Sequence, residues 1–253
     1  PMRKKHRIIA VTALFTVVIV GGGGAVLVRQ QMLNSRALEN RELGMASIAR
    51  EDYSNALHQI GSYLQRYGQE KDPEAVYEYA RARLNVPLPN GKHVGQSIGL
   101  FLQVLSVDPG HREARLELMK LYSLAGYGQE ALDLAEKVLQ EEPENLEALR
   151  AKAGALTRKR DFPEALKIAR KLTELAPEST RDHLLVLTLM QSNEAETPEL
   201  IAYPDSQAGL NHEQAGYHII RAVALEMAGQ RNEATEAAKR AGEIVQPESE
   251  DVL

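Results

Sequence analysis

Apolar residues in the body of the chain recur at the spacing of an α-helix. Two stretches show this most clearly, one around Ala135 and one around Ala169. The apolar positions in them are Leu132, Ala135, Val138 and Leu139, followed by Leu166, Ala169 and Leu172. Because residues three and four apart lie on the same face of a helix, each stretch predicts an amphipathic helix with one buried side.

The same landmarks return at intervals of 34 residues. Pro109, Pro143 and Pro177 follow this interval twice in succession. Ala131 and Ala165 follow it inside two similar phrases, GQEALDLAEKVL and FPEALKIARKL. A period of this length holds two helices and the turn between them, with the proline in the connection onward. A single helix pair cannot bury both of its faces, so we expect the units to stack and share a continuous core.

These units resemble the tetratricopeptide repeat family. In the unit 112–145, motif positions 7, 11, 20 and 32 hold Leu118, Tyr122, Ala131 and Pro143. In the unit 146–179, motif positions 4, 8, 20 and 32 hold Leu149, Ala153, Ala165 and Pro177. Partial matches at 37–70 and 215–248 supply Leu43, Gly44 and Ala56, then Ala222, Gly229 and Ala234. The resemblance implies an all-α, TPR-like solenoid, a right-handed superhelix whose concave face is lined by the first helix of each unit.

The pattern departs from the family motif in places. Ala135 and Ala169 replace the aromatic residue of motif position 24. An extra loop at 86–93 precedes a helix that we expect over 101–107.

The units divide the chain as follows. We predict about six of them over 37–248, followed by an acidic tail at 249–253. The unit at 180–212 is degenerate, with one good helix near 181–191 and a weak second half that contains two prolines.

The N-terminal segment has a different composition. A basic head at 1–7 precedes 21 residues without charge, 8–28, and a linker at 29–36 joins these to the repeats. A helix of that length spans about 30 Å, the thickness of the hydrocarbon core of a bilayer. We therefore predict a single transmembrane helix. A cleaved signal peptide is the alternative, although no Ala-x-Ala site follows the apolar core.

The orientation of this anchor follows from the positive charges beside it. They favour a cytoplasmic N-terminus, with the repeats on the periplasmic, extracytoplasmic side of the inner membrane. Small residues within the span could pack against another transmembrane helix, or could simply face lipid. They are Gly21, Gly22, Gly23, Gly24 and Ala25.

Charge narrows the range of partners. The formal net charge is -5, but residues 1–28 hold four Lys/Arg and no acid. The remaining residues carry 26 basic and 35 acidic groups, a net charge of -9. An acidic body argues against nucleic acid as a partner, because phosphate binding requires a basic face.

No motif in the chain points to catalysis. The absence of cysteine excludes thiolate chemistry, disulfides and cysteine-ligated metals. His212 and His218 stand six residues apart, whereas the zinc metalloprotease motif needs histidines four apart on one helix face. We therefore expect no enzyme activity, no catalytic residue, no metal, no cofactor and no small-molecule substrate.

The family resemblance also indicates a groove. In the family, the concave side shows positions 2, 5, 9 and 12–13 of each first helix. The residues at these positions here include Met45, Ile48, Leu116, Lys120, Arg150, Arg158, Ile219, Val223 and Met227. Both ends of this set are apolar, and its middle is basic. An amphipathic helix or an extended segment with acidic residues would match it, although the basic residues could also be merely solvated.

These observations favour a non-catalytic, membrane-anchored scaffold that binds other proteins and helps to assemble or stabilise a membrane or envelope complex. Two alternatives remain open at this point. One is a permanent structural subunit of a large membrane assembly. The other is a mitochondrial-type protein import receptor with a cytosolic body.

Overall fold

In the computed structural model, the backbone is described for residues 2–245 and the side chains for residues 26–245. Within these limits the chain is helical, with no strand, which confirms the all-α prediction. The α-helices are α1 (Met2–Ala49), α2 (Tyr53–Tyr67), α3 (Pro73–Asn85), α4 (Lys92–Val107), α5 (Arg112–Ala125), α6 (Gly128–Glu141), α7 (Leu146–Arg158), α8 (Phe162–Leu175), α9 (Thr180–Ser192), α10 (Thr197–Ser206), α11 (Ala215–Met227) and α12 (Arg231–Val245). Two short 3-10 turns cover Gln69–Lys71 and Pro89–Gly91.

The helices form two compact units, Pro1–Ala114 and Arg115–Leu253. In the first unit, α1, α2, α3 and α4 pack in chain order, and α1 also contacts α3. In the second unit, consecutive helices from α6 to α12 pack against each other, and α9 also contacts α11. Within each compact unit, the helices named here pack against their neighbours in the chain, and the first helices of two pairs of successive repeats, α1 with α3 and α9 with α11, also touch, as in stacked helix pairs.

One turn geometry recurs between the first and second helix of each pair. Five of the repeats begin at residues 37, 112, 146, 180 and 215. In each of them the fifteenth residue has a positive φ angle. These residues are Glu51 (φ 59°), Gly126 (φ 85°), Arg160 (φ 61°), Glu194 (φ 60°) and Gly229 (φ 79°). Three of the five are not glycine, and the left-handed conformation costs each of them roughly 1 kcal/mol. Without a glycine, this turn is hard to recognise in the sequence.

Small residues lie where the helices approach most closely. Ala131, Ala135, Ala165 and Ala169 are fully buried. Gly44 of α1 faces α2, and a Cβ atom added to it would lie 2.4 Å from Cγ1 of Ile60. These contacts explain why the repeat pattern requires alanine or glycine at fixed positions.

The degenerate unit is more regular than the sequence indicates. Its second half forms α10, a helix of 10 residues, despite two prolines. Pro198 occupies the first turn, where a missing N–H has no helical acceptor to lose. Pro204 lies near the end of the helix, so the hydrogen bond that its missing N–H removes belongs to the last turns.

The expected linker at 29–36 is not a separate segment, because those residues are part of α1. The stretch contains no glycine or proline, and Arg, Gln, Met and Leu are good helix formers. Nothing in it therefore ends the helix.

No helix within the described part of the chain is long and apolar enough to cross a membrane. The predicted basic head, the residues Gly21–Gly24 and Ala25, and nearly all of the predicted span at 8–28 lie outside the described side chains. The acidic tail at 249–253 also lies outside the described residues. Of the predicted span, the described side chains are those of Val26, Leu27 and Val28, and all three are exposed.

Candidate functional site

A cavity of about 260 Å³ opens between α5, α7 and α9 in the second unit. These are the first helices of three successive repeats, so the cavity lies on the surface that the family resemblance assigns to the groove. Its lining residues are Met119, Lys120, Ser123, Leu124, Glu147, Arg150, Ala151 and Arg181. Met119 and Ala151 are buried and give the cavity an apolar floor. We call this cavity the central groove.

Arg150 crosses from α7 to α9 at the base of the central groove. Its Nε atom lies 2.9 Å from Oδ1 of Asp182, and its Nη2 atom lies 2.7 Å from Oδ2. Its Nη1 atom donates a third hydrogen bond to Glu147, 2.7 Å away. The guanidinium charge is therefore already neutralised by two carboxylates within the protein.

The pKa values reflect this arrangement. Burial alone would raise the pKa of Asp182, but hydrogen bonds from Arg150 and Ser179 outweigh it and hold the pKa below its ordinary value. The hydrogen bond to Asp182 raises the pKa of Arg150 in spite of burial. Both groups are consequently ionised at neutral pH and bind each other.

The remaining cations of the central groove are more accessible. Lys120 is half exposed, and its Nζ atom lies 3.3 Å from Oε1 of Glu117 on the same helix. Arg181 is exposed, and it makes no ion pair with any described side chain. Leu124 stands beside them with 86% of its surface exposed. The groove therefore offers two cations and one protruding apolar side chain to a ligand.

The predicted groove residues do not all meet at this cavity. Lys120 and Arg150 line it, whereas Arg158 does not and instead lies against Gly128 at the start of α6. Leu116 packs partly buried against the core of α5, α6 and α7. The role of these residues in binding stays a prediction.

The side chains predicted at the two apolar ends of the groove are only partly exposed. Met45 and Ile48 are half-buried on α1 in the first unit. Val223 and Met227 pack against the core formed by α8, α9, α10 and α11. Ile219 is the most exposed of the three predicted residues on α11, at 39%.

Sequence reasoning missed Arg181 and Leu124. Both stand at groove positions, because Arg181 is the second residue of the unit that begins at residue 180 and Leu124 is the thirteenth of the unit that begins at residue 112. Applying one register to every unit, the degenerate one included, would have found Arg181. No local signal would have shown that Arg150 is paired with Asp182, because its partner is 32 residues away.

A second polar cluster surrounds Asp205 at the end of α10. The Tyr217 hydroxyl donates to the Asp205 carboxylate, and Arg221 donates to the same hydroxyl at 2.7 Å. The His212 ring stacks on the Tyr217 ring, with the centroids 4.1 Å apart. Burial, and then the bond to Asp205, raises the pKa of Tyr217. These contacts fix the connection between α10 and α11, and no metal-binding group of three ligating side chains occurs among the described residues.

Comparison with known proteins bears on the fold. Residues 124–188 match the family described as tetratricopeptide repeat. A solved structure of a MamA mutant aligns over 85% of this chain and 95% of its own, with a TM-score of 0.52 and 18% identity. MamA from Desulfovibrio magneticus RS-1 aligns over 85% of this chain and 97% of its own, with a TM-score of 0.51 and 16% identity. No curated protein sequence matches the chain.

The family match and the similar solved structures both indicate a repeated helical fold. At these identities the likeness to MamA is one of fold. The family match spans α6, α7 and α8, together with the turn before them and part of α9. Residues 124–188 thus resemble a tetratricopeptide repeat, and the likeness in fold extends over 85% of the chain.

Proposed function

We propose that this protein is a non-catalytic scaffold that holds a segment of another protein in the central groove. One observation carries the proposal: three successive first helices enclose an open cavity that presents Lys120, Arg181 and Leu124 to the solvent. Repeat arrays of this kind use such extended surfaces to bind polypeptides.

The charge of the groove indicates the chemistry of the segment. Arg150 is held by Asp182 and Glu147, so the accessible cations of the groove are Arg181 and Lys120, of which Lys120 pairs with Glu117 on its own helix. Carboxylates of the partner would approach these two side chains, and an apolar side chain would pack on Leu124 and the apolar floor. Charge complementarity would then govern selectivity and association rate, while the apolar contact would supply most of the affinity.

The membrane anchor is the second part of the proposal. It is supported by the apolar run at 8–28 and by the exposure of Val26, Leu27 and Val28, which continue that run on α1. We propose that this segment inserts in the inner membrane, with the basic head in the cytoplasm and the repeats on the extracytoplasmic side. Partners would then be subunits of a membrane or envelope complex.

Co-purification in mild detergent tests the groove. We expect the double variant K120E/R181E to lose partners that the parent chain retains, and to leave the helix content unchanged. The matched control is K137E/K239E, which makes the same change in charge at two exposed lysines of α6 and α12. Equal recovery of the same partners by all three proteins at the same salt concentration would reject the groove as the binding site.

A further inference from the structure

Two neighbouring turns of the second compact unit form an exposed surface beside the central groove, with which they share Leu124. The turn from α5 to α6 carries Tyr127, which is 52% exposed, next to Leu124. The turn from α7 to α8 carries three consecutive exposed cations, Arg158, Lys159 and Arg160. We call these five residues the turn surface.

Two contacts bring the turns together. The Lys159 Nζ atom donates to Oε1 of Gln129 at 2.7 Å, which ties the end of α7 to the start of α6. The Arg158 Nε atom lies 3.1 Å from the point where a Cβ of residue 128 would stand, so the guanidinium fits there because residue 128 is glycine. These contacts within the protein preorganise the turn surface for binding.

The charges of the turn surface are not matched within the protein. No described carboxylate lies within ion-pair distance of Arg158, Lys159 or Arg160. Elsewhere the repeats are rich in acid, since the net charge beyond residue 28 is -9. Two of the residue types on the turn surface, arginine and tyrosine, are enriched among the residues that dominate binding energy at protein interfaces.

We infer that the turn surface docks a segment of another protein that carries carboxylates next to a large apolar side chain. Charge complementarity selects the acidic segment, because an acidic partner would neutralise Arg158 and Arg160. The apolar side chain of the partner would cover Tyr127 and Leu124. This goes beyond the proposed function, because the cations and the tyrosine of this site lie at the turns, and of its five residues Leu124 alone also lines the groove.

An anionic membrane fits the turn surface less well. The next turn of the same kind, between α9 and α10, carries two exposed acids, Glu194 and Glu196, and a third, Glu199, follows in the first turn of α10. Because these turns all join a first helix to a second helix, they lie along the same edge of the unit. A flat anionic surface would meet these acids and be repelled, whereas a narrow polypeptide can follow the two basic turns and avoid the third.

The test uses the full chain in detergent and a short, fluorescently labelled synthetic peptide that contains glutamates and leucines. Fluorescence anisotropy measures its affinity. We expect R158E/R160E to bind the peptide about tenfold more weakly than the parent, since each exposed ion pair contributes little alone. A peptide with lysines in place of the glutamates should not bind the parent, and K137E/K239E should bind the acidic peptide like the parent.

Three further arms make the result decisive. R158Q/R160Q removes charge without reversing it and should give a smaller loss, with the circular dichroism of each variant confirming its helix content. Loss of peptide binding in K120E/R181E but not in R158E/R160E would overturn the turn surface and leave the groove proposal intact. Binding of phosphatidylserine vesicles that is lost in R158E/R160E would also overturn the inference, in favour of a lipid partner. Absence of binding by the acidic peptide would overturn it as well.

Discussion

Arg150 and Asp182 form a two-pronged ion pair that joins the first helices of two successive repeats. Both oxygens of Asp182 are used, at 2.9 and 2.7 Å, and the carboxylate is only 1% exposed. The first unit contains a similar pair, in which Nε of Arg41 on α1 lies 2.6 Å from Oδ2 of Asp72 at the start of α3. In both cases an arginine of one first helix reaches an aspartate at the beginning of the next.

The first prediction concerns the stability of this pair. Replacing Asp182 with alanine leaves the guanidinium of Arg150 without its main partner in a largely buried place. We expect D182A to lower the free energy of unfolding by about 3 kcal/mol in urea titrations. The double variant R150M/D182L, which removes both charges and restores apolar volume, should lose less. If the double variant is no more stable than D182A, the stranded charge is not the cause of the loss.

The second prediction concerns pH. The pKa of Asp182 is lower in the folded chain than its ordinary value, so its ionised form favours folding. This contribution is complete above about pH 4 and is lost as the pH falls through the folded pKa. The difference in unfolding free energy between the parent and D182N should therefore shrink at acid pH. A difference that stays constant down to about pH 2 would contradict this account.

The third prediction concerns the small residues between helices. Ala131 and Ala165 are fully buried, so A131L and A165L should overpack their sites and cost roughly 1–3 kcal/mol each. Thermal and urea unfolding give the comparison. A238L is the control, because Ala238 occupies the repeat position of Ala169 but is exposed on α12. Parent-like melting of either buried variant would mean that the repeat register is wrong.

The fourth prediction contrasts two glycines within helices. G44A should destabilise the chain by roughly 1–3 kcal/mol, because the new methyl group meets Ile60 of α2. G99A should stabilise it by up to about 1 kcal/mol, because Gly99 lies within α4 with nothing within 4 Å of its Cβ position. Unfolding curves measured side by side decide the matter, and a loss of stability in both variants would count against the Gly44–Ile60 contact as the cause.

The fifth prediction concerns topology. Reporter fusions placed after residue 35 should be active on the extracytoplasmic side, and protease added to intact spheroplasts should digest the repeats. Both results follow from the basic residues ahead of the apolar run at 8–28. Protection of the repeats within the cytoplasm would reverse the orientation without removing the anchor.

The regular part of the fold is predictable because it repeats. The interval of 34 residues places Ala131 and Ala165 at equivalent points, and the structure buries both completely. The turns are harder to foresee, because Glu51, Arg160 and Glu194 adopt a left-handed conformation that no residue preference indicates. Prolines are also a poor guide to where the helices end. Pro198 suggests an interruption, yet it lies in the first turn of α10.

The candidate site is less predictable than the fold. Lys120 and Arg150 line one cavity, but the repeat pattern cannot distinguish a cation that faces a ligand from one that is held by a neighbouring side chain. Arg150 belongs to the second kind, and its partner lies in the repeat with the weakest motif. Arg158 lies at a turn because the register of the helix carries it beyond the groove, against a glycine of another helix.

The continuity of α1 through residues 29–36 has a mechanical consequence. A helix turns about 100° and rises 1.5 Å with each residue. Inserting a single residue between Val28 and Ala37 would therefore rotate the preceding segment by more than a quarter of a circle about the axis of α1, while lengthening the helix only slightly. Because α1 packs directly on α2, any twist applied to its N-terminal end reaches the first repeat without a joint to absorb it. The number of residues between the N-terminal segment of α1 and the first repeat therefore sets how far the two are rotated relative to each other about the axis of α1.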